Sequence, residues 1–200
     1  MTDLVIEVQF LVGAAFLART DRPDRIEWPP HPDRLFRAIT AARNRRLDVP
    51  RSTYRREQHA LEWLERLPTP RVAAPQAFLR SAVTSYVPVN DIGWNRGSQP
   101  RFHPAVIPDD DMPLIYLWRP APGIERHGTT LDIMLAEVTY LGSAHSLVAV
   151  RRRTTCPAML FWQGPLRVPY PGRLAELERG WRRGYRVLPS RVLSDSDDHA

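Results

Sequence analysis

The chain of 200 residues contains no lysine, and all 28 of its basic side chains are arginine. Its single cysteine, Cys156, excludes an intramolecular disulfide framework and fits a reducing compartment, so the cytoplasm is the expected location. No apolar run approaches the ~20 residues that a membrane-crossing helix needs, so no membrane partner is expected. The N-terminus carries Asp3 and Glu7 and no basic leader, unlike a secretory signal. There is no phosphate-binding loop and no GxGxxG. His59, His103 and His127 lack paired-ligand spacing, and Asp109-Asp110-Asp111 reads as a solvated turn. Neither a metal nor a cofactor is therefore expected. No internal repeat or low-complexity block interrupts the chain.

What is present is positive charge. The formal net charge is +6, with a pI of about 10.2. Guanidinium forks suit bidentate contact with phosphate and stacking on bases, which points to nucleic acid. The plainer alternative is a solvated basic surface, with arginine favoured by a GC-rich genome. The apolar fraction of 43% supports a normal soluble core.

Leu4, Ile6, Val8 and Phe10 alternate with Val5, Glu7, Gln9 and Leu11, which predicts a half-buried strand over Asp3 to Val12. Trp28-Pro29-Pro30-His31-Pro32 is a stiff entry, because each proline fixes its own φ and pushes its predecessor toward extended geometry. It leads into a helix over Pro32 to Leu47 with an apolar stripe of Leu35, Phe36, Ile39 and Ala42. A second helix is expected over Thr53 to Leu67, capped by Ser52 or Thr53 and stopped by Pro68. Arg71 to Arg80 is ambiguous, and Ala82 to Val87 reads as a strand. Pro88 to Met112 is a long polar excursion, of the kind that is functional or disordered when it exceeds about 15 residues. Leu114 to Trp118 is a strand, Pro120 to Gly128 a turn region, and Thr129 to Ala136 a helix capped by Thr129 or Thr130. Glu137 to Leu141 and Ser146 to Arg153 read as strands around a Gly142 turn. A final helix over Pro171 to Tyr185 turns Leu174, Leu177 and Trp181 inward and Arg173, Arg179, Arg182 and Arg183 outward. The order predicts an α+β fold, a small antiparallel sheet with helices on one face, with ferredoxin-like topology leading. Residues 1–188 form one expected domain, and 189–200, with Asp195, Asp197 and Asp198, a disordered acidic tail.

Four blocks occur in order: Trp28-Pro29-Pro30-x-Pro32-x-Arg34-Leu35-Phe36-x-Ala38, Tyr86-Val87-Pro88-Val89-Asn90-Asp91, Tyr140-Leu141-Gly142-Ser143-x-x-Ser146-Leu147-Val148, and Pro169-x-Pro171-Gly172-x-Leu174-x-x-Leu177. Together they resemble the fused Cas-five/Cas-six RAMP subunit of type I-U (I-G) CRISPR systems. The resemblance implies a ferredoxin-like RAMP fold and a place in a crRNA-guided surveillance complex of the Cascade type, an antiviral ribonucleoprotein. The expected partners are crRNA, a backbone (Cas-seven-like) subunit and a large (Cas-eight-like) subunit, with target DNA nearby. The family's first half is similar to the subunit that caps the 5′ handle of crRNA, its second half to the endoribonuclease that cuts the precursor. This chain matches the first half alone, so no catalytic residue is expected here.

The excursion after Pro88 is the first RNA-contact candidate, since the family's Cas-five-like half carries a thumb-like insertion. Trp94 offers a stacking ring, Arg96 and Arg101 offer guanidiniums, and Asn90 lies at its start. His31, Arg34 and Arg37 at the first helix form a second set, extended by Arg45 and Arg46. Gly142, His145 and Ser146 mark a turn where a backbone can approach phosphate. Arg151 and Arg153 share one side of a strand, with Arg152 on the other. Against each stands a plain reading: a surface loop, an arginine paired with a local acid, a hairpin turn, a charged edge strand. Two other functions remain open, a metal-independent endoribonuclease and a protein–protein adaptor. Pairs such as His145 with Tyr140 or His31 with Arg34 suit the former, but nothing in their spacing requires it.

Overall fold

A computed structural model describes residues 2–46, 48–88, 97–109 and 112–194. Its main sheet contains β1 (Leu4–Phe10), β2 (Arg71–Ala73), β5 (Leu114–Trp118) and β6 (Val148–Arg153), ordered β2-β5-β1-β6. Every neighbouring pair is antiparallel. β3 (Ala77–Pro88) and β4 (Ser98–Pro108) form a separate two-stranded ribbon. With the ribbon set aside, the chain runs strand, helices, strand, strand, helix, strand, with the first and third of these strands central. That is the ferredoxin-like split β-α-β arrangement, and the ribbon is inserted between its second and third strands.

The two faces of the sheet follow from period-two alternation. Leu4, Ile6 and Val8 of β1 meet Leu114, Tyr116 and Trp118 of β5, Val72 of β2, and Val148 and Val150 of β6. All four helices cover this face: α1 (Pro32–Arg45), α2 (Arg51–Leu64), α3 (Ile124–Ala136) and α4 (Arg173–Arg182). On the other face, Val5, Ala73, Ile115 and Leu117 are covered by Cys156, Met159 and Phe161. Phe161 bridges Ala73, and the Trp162 N–H donates to the Val72 carbonyl at 2.7 Å, which extends the β2 edge.

The ribbon corrects the expected excursion. Its second half is a regular strand, β4, rather than irregular loop, and β3 begins at Ala77 rather than Ala82. Its base is tied down by reciprocal Ala15–Val106 backbone hydrogen bonds of 2.8 Å. Around that base Ala15, Leu17 and Val106 are buried, with Trp28 and Phe10 packed beside them. Trp28 is thus an anchor at the root of the ribbon.

Other boundaries also move. α2 starts after Pro50, without a Ser52 or Thr53 cap. α3 begins at Ile124, after Gly123 at φ +90°, rather than at the threonines. Gly128 sits inside α3, and the Arg152 guanidinium packs 3.2 Å from where a Cβ there would be. Glu137 to Leu141 is irregular rather than a strand, although Tyr140 pairs with Leu147 in an isolated bridge, and Thr139 and Leu141 bond across to Val148 and Ser146. The final segment is ordered further than expected. Ser190 and Ser194 are buried, Val168 donates to Val192 at 3.0 Å and Ser194 to Leu166 at 2.7 Å. Among the described residues no helix is long and apolar enough to cross a membrane.

Two buried carboxylates join the helices. Glu65, just past α2, accepts from the Gly172 and Leu174 N–H groups at 2.8 and 2.7 Å and so caps α4 from outside. Asp33, in the first turn of α1, takes a two-armed contact from Arg173 at 2.8 and 3.1 Å and a third bond from the Ser190 N–H at 2.8 Å. Both members of this pair are 1% exposed, so Arg173 does not face out as its helical position suggested. Removing one partner of a buried pair strands the other charge, at a cost of about 3–5 kcal/mol. Asp33→Ala is therefore expected to lower the urea midpoint strongly, while a paired Asp33→Leu/Arg173→Met change recovers most of the loss. Asp33→Ala unfolding at the wild-type midpoint would contradict this.

Candidate nucleic-acid interface

The α1 side chains divide by helical spacing. Leu35, Phe36, Ile39 and Ala42 enter the core, while Arg34, Arg37, Ala41 and Asn44 lie along one outer ridge. That ridge borders a cavity of about 740 Å³. Tyr140 and Gly142 form a second wall, and Trp181, Gly184, Tyr185 and Arg186 a third.

The third wall arises from the way α4 ends. Gly184 has φ +69°, its N–H donates to Trp181, and the Tyr185 N–H donates back to Gly180, both at 3.1 Å. This is a Schellman closure, which needs the left-handed residue that glycine supplies without strain. It reverses the chain so that Tyr185 to Val187 return beside α4. A Cβ on Gly180 would lie 2.1 Å from the Val187 side chain, so glycine is required for that return. The helix stops at Arg182 rather than Tyr185, and Trp181, expected inside, is 56% exposed on the cavity wall.

The arginines of the first expected set differ in their freedom. Arg34 donates to Glu27 at 2.6 Å and to the Ala18 carbonyl at 3.0 Å. Burial acts most strongly on Glu27 and raises its pKa, but the Arg34 hydrogen bond and charge, together with His31 and its N–H, outweigh this and hold it below the usual 4.5. Arg37 is half-buried and donates to the Val187 carbonyl at 3.1 Å, with no carboxylate in ion-pair distance among the described residues. Burial holds its pKa below the ordinary guanidinium value, and Arg173, Arg34 and Arg186 act in the same direction against Asp33. Arg45 is exposed and lies over the Tyr140 ring at 5.0 Å. Arg46 pairs with buried Glu57 at 2.6 Å. His31 accepts from the Arg167 N–H through Nδ1 at 2.7 Å. Burial lowers its pKa below 6.5, so this imidazole is a neutral structural joint.

Gly142 sits at φ +82°, and a Cβ there would be 2.7 Å from Arg34 Nη1. The turn therefore packs directly onto the α1 ridge. His145 is exposed, edge-on to Phe16 at 6.0 Å. Ser146 corrects its expected role. It is fully buried, and its hydroxyl accepts from the Phe16 N–H at 2.7 Å, clasping the segment after β1.

On the far face of the sheet Arg151 and Arg153 lie side by side, as alternation predicted, but both grip Glu7. Arg151 donates to it at 2.6 Å and Arg153 to its other oxygen. Burial raises the Glu7 pKa, yet the bonds from Arg153 and Arg151 prevail and hold it below 4.5. The trio carries one net positive charge. Arg152 faces the helices and pairs with Asp132 at 2.6 Å. On the ribbon, Arg101 is exposed opposite Ser85, and His103 lies 2.9 Å from the Ser85 hydroxyl. Asn90, Trp94 and Arg96 lie outside the described residues.

Arg34, Arg37 and Gly142, three expected site residues from two separate stretches, thus meet at one cavity, and Arg45 lies over the ring of Tyr140 in its wall. Sequence reasoning did not connect Trp181, Tyr185 and Arg186 to them. The available signal was Gly184 after a basic helix end, which marks a reversal. Among the described residues no group of three or more His, Cys, Asp and Glu side chains is placed to hold a metal.

Glu7 and Glu27 are both ionised more readily in the fold than in an unfolded chain. Their contribution to stability is complete above 4.5 and is lost as pH falls through their lowered values. Acid titration followed by circular dichroism is expected to show a shallower loss below pH 4.5 for Glu27→Gln than for the unaltered chain. Identical acid limbs would contradict this.

A sequence profile of the CRISPR-associated protein, GSU0054 family, matches residues 1–186. A search of curated proteins found none that matches the chain. Among solved structures, a CRISPR protein from Archaeoglobus fulgidus is similar at 16% identity and a TM-score of 0.42. The alignment covers 76% of this chain and 64% of that one, so this chain spans less than two thirds of its neighbour.

Proposed function

The chain belongs to the GSU0054 family of CRISPR-associated proteins, and we propose that it is a crRNA-binding subunit of a type I surveillance complex. In this reading it is the Cas-five-like half of a fused Cas-five/Cas-six subunit. It caps the 5′ handle of crRNA and docks the backbone and large subunits. The observation that carries the reading is the cavity where the α1 ridge, the Gly142 turn and the Gly184 return bring guanidiniums and aromatic rings together. Such a mixture suits single-stranded RNA: cations follow the phosphates and rings take unstacked bases.

The ribbon supplies a second surface. Arg101 and Gln99 share one side of β4, and Phe102 and Pro100 the other, as strand alternation requires. Phe78 and Tyr86 are 68% and 69% exposed. So much bare apolar area on a two-stranded element favours a covered role in an assembly. We assign one side of the ribbon to RNA and the other to a neighbouring subunit. Arg151 and Arg153, with one net charge over Glu7, form a weaker outlying contact.

RNA affinity is expected to fall steeply with salt, because each neutralised phosphate releases counterion. Losing one phosphate contact should reduce the slope of log affinity against log salt by about 0.7 for single strands. Arg101→Gln is expected to show that reduction in a filter-binding titration. In the purified ribonucleoprotein, this subunit should crosslink to the 5′ region of the guide. A complex whose small RNA never crosslinks to this chain would refute the reading.

A further inference from the structure

The cavity beside α1 has chemistry more selective than a basic groove. Arg37 is a half-buried cation whose one hydrogen bond among the described residues goes to a main-chain carbonyl. Its remaining N–H donors border a cavity of about 740 Å³, within the roughly 300–1,000 Å³ range of small-molecule sites. Arg186 adds an exposed guanidinium on the facing wall, and Asn44 a neutral amide. Trp181 and Tyr185 are 56% and 49% exposed on that wall, although both are large apolar groups. Opposite them Tyr140 is held by the Arg45 guanidinium 5.0 Å above its ring.

We propose that this cavity is a pocket for one unstacked nucleotide, its phosphate on Arg37 and Arg186 and its base against Trp181 and Tyr185. A phosphate satisfies the spare guanidinium donors bidentately, which a carbonyl alone does not. A base fills the space between ring-bearing walls, where Asn44 is placed to meet a polar edge. An acidic peptide would answer the charge but leave the rings bare. Among the described residues the pocket lining holds no histidine or carboxylate, and the role we assign it is binding. The inference deepens the RNA-binding reading and rests on it for where the nucleotide comes from. The same pocket chemistry also admits a free nucleoside monophosphate, and the test separates these sources.

The experiment uses the full chain, with a short labelled single-stranded RNA and uridine or adenosine monophosphate as probes. Tryptophan emission is followed in the unaltered chain and in Trp181→Phe, so that the difference isolates Trp181. RNA is expected to quench the Trp181 component. Arg37→Gln is expected to weaken RNA binding about tenfold or more while keeping its circular dichroism and melting temperature. Should Arg37→Gln unfold, the exposed Arg186→Gln replaces it, with the same loss expected. Competition and quenching by the monophosphate mean that a single nucleotide suffices. Quenching by RNA alone assigns the pocket to a residue within a strand, and either result supports the pocket. If folded Arg37→Gln, Arg186→Gln and Trp181→Phe all bind RNA as tightly as the unaltered chain, the pocket proposal falls and the RNA-binding reading stands. If the unaltered chain binds neither RNA nor nucleotide, both fall.

Discussion

The two-armed bond between Asp33 and Arg173 is the constraint on which the functional side of the molecule depends. One partner lies in the first turn of α1, the other in the first turn of α4, and both are removed from water. Taking two charges out of water is costly, and the geometry must compensate through further hydrogen bonds. Here it does: Asp33 also accepts from Ser190, and Arg173 also donates to Leu188 and Glu176. Three parts of the chain distant in sequence are thereby fixed to one point. The Gly184 return hangs between α4 and that point, so the wall carrying Tyr185 and Arg186 is placed by the same pair that orients the α1 ridge.

This explains why net charge is a poor guide to where binding occurs. The chain uses arginine for two opposed tasks. Arg43 and Arg173 are enclosed, each facing carboxylates, because a planar fork tolerates desolvation better than an ammonium. Arg34 is an intermediate case, fastened to Glu27 while forming the floor of the cavity. Arg37, Arg45, Arg101 and Arg186 remain where they can meet something outside. A composition with no lysine therefore reflects internal architecture as much as affinity for anions. In the RNA-binding reading proposed above, a phosphate is one more carboxylate-like acceptor for the forks the fold has left over.

Much of the architecture was legible in sequence because it rests on periodicity. Alternation in β1 correctly put Leu4, Ile6 and Val8 on one face and placed Arg151 and Arg153 together in β6. But β1 is covered on both faces rather than half-buried, with Val5 and Glu7 also buried. Spacing in α1 correctly named the buried stripe. The failures share a cause, since each involves a residue whose environment is set by a distant segment. Arg173 seemed to face solvent because no local pattern reveals Asp33, 140 positions away. Trp181 seemed to face the core because a large ring on a helix usually does, yet the return after Gly184 moves the packing to Gly180. Pro120 to Gly128 read as a turn region, whereas α3 begins at Ile124 and runs through Gly128, beside which the Arg152 guanidinium packs. Ser146 read as a turn residue, when its hydroxyl fastens Phe16. The candidate site was half legible: Arg34, Arg37 and Gly142 were named, but nothing in their order showed that they meet.

The ribbon was the hardest element to read, and the reason bears on function. Its residues do not alternate cleanly between apolar and polar, since β3 and β4 pair with each other and present both sides outward. A pair of strands without a sheet beneath it is marginally stable in water. It persists here because Ala15 pairs with Val106 at its base and Trp28 packs beside that joint. Along its length the ribbon leaves Phe78 and Tyr86 exposed. The proline-rich stretch from Trp28 to Pro32 thus serves two ends of the molecule at once. Trp28 seats the root of the ribbon, and Pro32 starts the helix whose ridge lines the cavity. A shift in that stretch would move both surfaces together. In the reading proposed above, the ribbon and the cavity are two contact surfaces placed from one joint.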